Sequence, residues 1–215
     1  MEFPYEKDSK ERMPYEHYME SYQKKDPAEI SNRTGIPYDP DRQTFRIRLM
    51  GVTYDVKWPT YEAIHIDRED IGYFPLEDAM NARILVLRYL VEGAAAPATG
   101  KFLTYREIPW GEVYFKQFQG RCIFRLAYGF GGKLELFRSI MEKLHAEPVS
   151  TGDAGYEFEF INDLKLRFML WEGDDEFPPA AQILFSDNFP VAFTMGEDMA
   201  VVGDVSIGAL KAMSR

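Results

Sequence analysis

The chain has one cysteine and three histidines among 215 residues. Cys122 alone cannot close an internal disulfide, so no oxidising compartment is implied. One thiol also excludes a self-contained iron–sulfur cluster and a cysteine-based zinc site, which need several thiolates. His17, His65 and His145 lie far apart, with no His-x-x-x-His spacing, so a histidine-rich metal site is not expected. Basic charge is also short. The net charge is −10 and the pI about 4.9. The basic residues are scattered rather than gathered into a stripe, which argues against nucleic acid as a partner. No apolar run approaches the roughly 18 residues a membrane span needs. The start, Met1-Glu2-Phe3-Pro4-Tyr5-Glu6, carries no basic-then-apolar leader. The expected address is the cytoplasm. No Gly-x-Ser-x-Gly occurs. The glycine run Gly129-Phe130-Gly131-Gly132-Lys133 lacks the first glycine and the hydroxyl of a P-loop, and reads as a helix C-cap turn.

What is present is apolar bulk. Hydrophobic residues make up 46% and aromatics 15%, enough for a core without staples. A chain of this length buries roughly 70% of its unfolded surface. Residues 1–14 are polar and hold Pro4 and Pro14, so a flexible arm is expected before a domain at 15–215. Tyr15, Tyr18, Met19 and Tyr22 have helical spacing. Asp26-Pro27-Ala28-Glu29 starts a second helix, and Gly35 ends it. Phe45, Ile47 and Leu49, then Val52, Tyr54, Val56 and Trp58, alternate with period two on either side of Gly51. With a piece at 61–66 they predict an antiparallel meander.

Leu76, Met80, Ile84, Leu87 and Val91 predict one helix over Pro75 to Glu92. The small-residue stretch 93–100 after it is the best hinge. Residues 101–120 read as irregular, and helices are expected at 121–128 and 133–145. Strands at 156–161, 166–171 and around Ile183–Phe185 follow, with a closing helix from Glu197. The expectation is an α+β fold, mainly antiparallel sheet with packed helices, in a single compact domain. If the two strand blocks formed separate lobes, they would part at 93–100.

Several landmarks together resemble an uncharacterised bacterial family, classed as a domain of unknown function and found mainly in anaerobes. They are Asn32-Arg33-Thr34-Gly35-Ile36-Pro37-Tyr38, Leu85-Val86-Leu87-Arg88-Tyr89-Leu90, Thr104-Tyr105-Arg106-Glu107-Ile108-Pro109, Phe118-Gln119-Gly120-Arg121, and the long motif Leu170 to Ala180. The last is the most specific. Some family members are joined to a segment with iron–sulfur-type cysteines. This chain has no such cysteines, so that role does not carry over. The resemblance implies no reaction and no catalytic residue.

Two polar clusters stand out. Glu172, Asp174, Asp175 and Glu176 crowd one loop after a strand. Such oxygen density can hold a divalent metal, with Asp174, Asp175 and Glu176 as ligands, or can be a solvated turn. The spacing is not that of an EF-hand. No other cofactor is implied. The second cluster is Lys101, Arg106, Gln119 and Arg121, with Tyr105, Trp110 and Tyr114 as pocket walls. An arginine fork suits an anionic group, or pairs with the chain's own carboxylates. Arg106, Gln119 and Arg121, with Trp171 and Glu172, form the candidate ligand-binding set. Two functions follow. One is a non-catalytic accessory protein of anaerobic bacterial metabolism that binds a small molecule or a protein. The other is an enzyme using the acidic loop, with Arg106 and Arg121 holding an anionic substrate. Arginines and carboxylates sharing one cavity would favour the second.

Overall fold

The computed structural model describes residues 8–67 and 72–214. Of the expected arm, residues 1–7 lie outside that range. Asp8–Arg12 make a wide π-type turn leading into helix α1 (Met13–Lys24). Helix α2 (Pro27–Thr34) begins and ends as its sequence dictates. The Asp26 carboxylate accepts from the Ala28 and Glu29 amides, and Gly35 takes the left-handed φ of 69° at the C-terminus.

Strand β1 (Tyr38–Asp39) leads into the meander β2 (Thr44–Leu49), β3 (Val52–Lys57) and β4 (Ala63–His65), all antiparallel. Leu49 pairs with Val52, so Met50-Gly51 is a two-residue turn. Both residues have positive φ, 48° and 78°, which matches the twist of a hairpin.

The expected single helix over Pro75 to Glu92 is two, α3 (Pro75–Asp78) and α4 (Met80–Glu92). Ala79 between them is extended, with φ −127° and ψ 117°. The break turns Leu76 fully into the core while Met80 stays 39% exposed. Nor is α4 a one-sided helix. Leu85, Val86, Leu87, Tyr89, Leu90 and Val91 are all buried, because other elements pack around most of its circumference.

Residues 101–120 are regular rather than irregular: strand β5 (Phe102–Thr104), a 3-10 turn (Tyr105–Glu107) and helix α5 (Gly111–Phe118). Thr104 and Glu107 form a reciprocal capping box at that turn. A π turn (Gln119–Ile123) joins α5 directly to α6 (Phe124–Phe130), and α7 (Leu134–Lys143) follows. At the turn between α6 and α7, Gly131 keeps ordinary helical angles instead of a left-handed cap. Its glycine is required by packing: a Cβ there would sit 2.4 Å from Pro179 Cβ.

Strands β6 (Glu147–Pro148), β7 (Ala154–Ile161), β8 (Leu164–Trp171) and β9 (Ala180–Ser186) come next, then α8 (Phe189–Ala192) and α9 (Gly196–Met213). Asn162-Asp163 turn β7 into β8 with φ of 32° and 69°.

All nine strands belong to one sheet, ordered β4-β3-β2-β7-β8-β9-β5, with β1 on β2 and β6 on β7. The two strand blocks meet where Leu49 opposes Ile161, and the Met50 amide donates to the Phe160 carbonyl at 2.9 Å. Helices α6 and α7 pack on β7–β9, and α9 runs against α4, α5 and α6. Gly203 on α9 lets Cys122 approach so closely that a Cβ would meet its sulfur at 2.8 Å. The result is one compact α+β domain. Among the described residues no helix is long and apolar enough to cross a membrane.

Candidate functional site

The predicted clusters do not converge. The Arg106 guanidinium lies over the Phe115 ring at 4.0 Å and 3.6 Å from Glu112. Arg121 is 3.5 Å from Asp204, which also binds Arg125. Gln119 opens the π turn. Tyr105, expected as a pocket wall, is buried, stacked on Phe118 at 3.9 Å, and donates its hydroxyl to the Gly196 carbonyl. Trp110, its expected partner, is 66% exposed. Cys122 is a buried thiol pushed up to about 12 by its surroundings, chiefly burial.

The acidic loop is a structured turn. Trp171 pairs with Ala180 at its base. The Glu172 amide donates to Asp153, and Asp174 accepts from the Glu176 and Phe177 amides at 2.8 and 2.7 Å. Those two amides hold the Asp174 carboxyl below its ordinary range. Asp175 and Glu176 are exposed. Pro179 packs against both Gly173 and Gly131. The most recognisable motif is therefore accounted for by turn geometry and packing. Among the described residues no group of three or more His, Cys, Asp or Glu side chains is placed to hold a metal ion.

A cavity of about 550 Å³ lies elsewhere. It sits where the end of α2, residues 95–100, the start of β5, the β7–β8 turn and the end of β9 come together. Its cause is local sequence. Ala95, Ala96, Pro97, Ala98 and Gly100 run past the sheet without side chains long enough to fill the space beneath.

The loop is held over that space by the Asn32-Arg33-Thr34-Gly35 landmark. Arg33 donates to the Leu90 and Val91 carbonyls at 2.7 and 3.1 Å, and also to that of Gly93, closing the exposed end of α4. The Ala95 amide returns a bond to the Arg33 carbonyl, and the Tyr89 hydroxyl donates to that of Thr34. From below, buried Asn188 binds the loop. Its Nδ2 donates to the Ala96 carbonyl at 3.1 Å, and its Oδ1 accepts from Ser186 Oγ at 2.6 Å.

The lining joins apolar surface to charged groups of both signs. Glu157 accepts from Lys165 Nζ at 2.8 Å and Arg167 Nε at 2.9 Å. Burial would raise the Glu157 carboxyl, but those two cations outweigh it and hold the acid below its ordinary range. The same bond raises Lys165. Arg167 in turn lies 3.8 Å over the Phe102 ring. The floor is thus a fixed ion network under an alanine-rich roof. Neither Arg106, Arg121 nor the acidic loop contributes to it. Sequence reading missed Thr34, Tyr89, Glu157, Lys165, Ser186 and Asn188. The available signal was the small-residue stretch itself, which reads as a candidate hinge or boundary and lines the cavity.

Fold and cavity define a class: an α+β domain built on one mainly antiparallel sheet, with a partly open cleft of mixed polarity beside the β7–β8 turn. The chain belongs to the family described as Domain of unknown function (DUF3786), whose model matches residues 26–209. That span contains every residue lining the cavity. No curated protein and no solved structure matches the chain.

Proposed function

We propose that this protein is a non-catalytic small-molecule-binding protein, and that its ligand is a small polar molecule held in the cavity roofed by residues 95–100. One observation carries the reading: four separate stretches of the chain, 34–35, 89–102, 157–165 and 186–188, converge on a single cleft. Its volume falls in the range of ligand sites, roughly 300–1,000 Å³. Glu157 and Lys165 offer both charge signs to a polar ligand, while Phe102 and Leu164 offer apolar contact.

The alternative, an enzyme at Glu172, Asp174, Asp175 and Glu176, calls for Arg106 and Arg121 at the same site, and these lie beside Glu112 and Asp204 instead. A cytoplasmic setting is supported by the buried, unpaired Cys122 thiol. An accessory role in anaerobic bacterial metabolism rests on the landmark resemblance alone.

The test is native mass spectrometry of protein purified from its own cells. A bound small molecule is expected on the wild type and should be absent from Ala96→Phe, whose ring fills the cleft. An unliganded wild type, or a ligand equally retained by a folded Ala96→Phe, refutes the reading.

A further inference from the structure

A second cavity, of about 670 Å³, lies on the other side of α4, between α1 and the first turns of α9. One part of its wall is apolar: Met13, Ile84, Leu85 and Val201. The other part is an ion pair beside a ring, its carboxylate buried and its guanidinium half-buried. Arg88 Nη1 donates to Asp198 Oδ1 at 2.6 Å, and its guanidinium lies 5.8 Å from the Tyr18 ring centre. The Asp198 side chain is only 7% exposed. Among the described residues its Oδ2 receives no hydrogen bond, although Asp198 lines the cavity.

Among the described residues the charges acting on this carboxylate do not balance. Arg88 is shared, because its Nε also donates to Glu92 at 3.1 Å. Glu197 adjoins Asp198 and lines the same space. Among the described residues, Arg88 is the cation that acts on Asp198, while Glu92 and Glu197 act on it as anions. Lys10 and His17 also line the cavity but do not figure among the charges acting on Asp198. Burial dominates, and Asp198 is pushed up to about 6 in spite of Arg88 at hydrogen-bond distance. A buried carboxylate that its arginine does not fully compensate gains from a second cation. Tyr18 supplies an aromatic face, which attracts cations.

We propose that this cavity binds an organic cation with an alkyl body, with an ammonium group on the free oxygen of Asp198 and the chain against Met13, Ile84, Leu85 and Val201. The site is separate from the cleft under residues 95–100 and shares no lining residue with it. Arg88 lies within the Leu85–Leu90 landmark, which gives that landmark a ligand-side role besides packing.

The experiment compares three probes of one shape on the full chain by calorimetric titration: hexylammonium, hexan-1-ol and hexanoate. Hexylammonium is expected to bind, hexan-1-ol at least tenfold more weakly, and hexanoate more weakly still. Asp198→Asn should cost the ammonium tenfold or more and leave the alcohol unchanged. Ile84→Trp, which fills the apolar part of the cavity and keeps both members of the ion pair, should abolish both. Circular dichroism checks that each variant folds. The three-probe comparison on the wild type stands whether or not Asp198→Asn folds. The proposal is overturned if hexylammonium does not bind. It also fails if hexanoate binds as well as the amine, or if a folded Asp198→Asn or Ile84→Trp binds the amine undiminished.

Discussion

Replacing Asn188 by alanine removes a side chain that ties the cavity roof to its floor. Asn188 is 4% exposed and Ser186 2%. Three bonds go: Ser186 Oγ to Oδ1 at 2.6 Å, Nδ2 to the Ala96 carbonyl at 3.1 Å, and Nδ2 to the Asp163 carbonyl at 3.4 Å. The losses are unequal. The Ser186 hydroxyl, 2% exposed at the cavity wall, loses its acceptor, which costs about 1–3 kcal/mol, less where cavity water reaches it. The Ala96 carbonyl belongs to a residue lining the open cavity, where water can replace the amide, so its loss is worth about 1 kcal/mol. The 3.4 Å contact is long and adds little. The sum is about 2–4 kcal/mol. For a chain of this size that is a fall of roughly 5–15 °C in melting temperature. Equilibrium urea unfolding reads the total, and amide hydrogen exchange reads its location. Faster exchange should appear at residues near the roof, such as the Ala95 amide that binds Arg33. A loss below about 0.5 kcal/mol, the scatter of ordinary surface substitutions, with Ala95 exchange unchanged, would refute this account of how the roof is held.

Two glycines should respond in opposite directions. Gly131→Ala drives a Cβ to 2.4 Å from Pro179 and 2.6 Å from the Ala127 carbonyl, and should cost about 1–3 kcal/mol in urea unfolding. Gly120→Ala, helical with nothing within 4 Å of the new Cβ, should add about 0.5–1 kcal/mol. Asp198 makes a prediction about pH. Its folded value is raised to about 6 from an ordinary 3.8, so between those values the folded chain holds a proton that the unfolded chain has released. Stability contributed by this group is therefore present at pH 4 and lost as pH rises through 6. Relative to Asp198→Asn, the wild type should lose up to roughly 3 kcal/mol between pH 4 and 7. A flat difference in chemical-denaturation midpoints across that range would contradict it.

The local signals were legible in the residue order and held in three dimensions. Asp26, Pro27 and Gly35 bound α2 because capping and left-handed φ are properties of a few neighbouring residues. Phe45, Ile47 and Leu49 alternate because a half-buried strand has period two, and the Gly51 turn sets their register. Composition showed enough apolar bulk for a core without disulfides, and the strand and helix periods together placed the chain among α+β domains. Where neighbours in space decide, the order said less. Ala79 breaks a helix whose apolar spacing runs on without interruption, because Leu76 has to turn inward. The acidic loop invited a metal, yet Asp174 is satisfied by its own turn and Gly173 by Pro179. Arg106 and Arg121 looked like ligand forks, but their partners, Glu112 and Asp204, come from helices. Neither cavity was visible beforehand. Each is made by residues far apart in the chain: Thr34, Tyr89, Lys165 and Asn188 in one, Tyr18, Arg88 and Asp198 in the other. Turns, caps and strand periods are set by interactions over a few residues. Empty space is set by which side chains fail to meet across the whole fold.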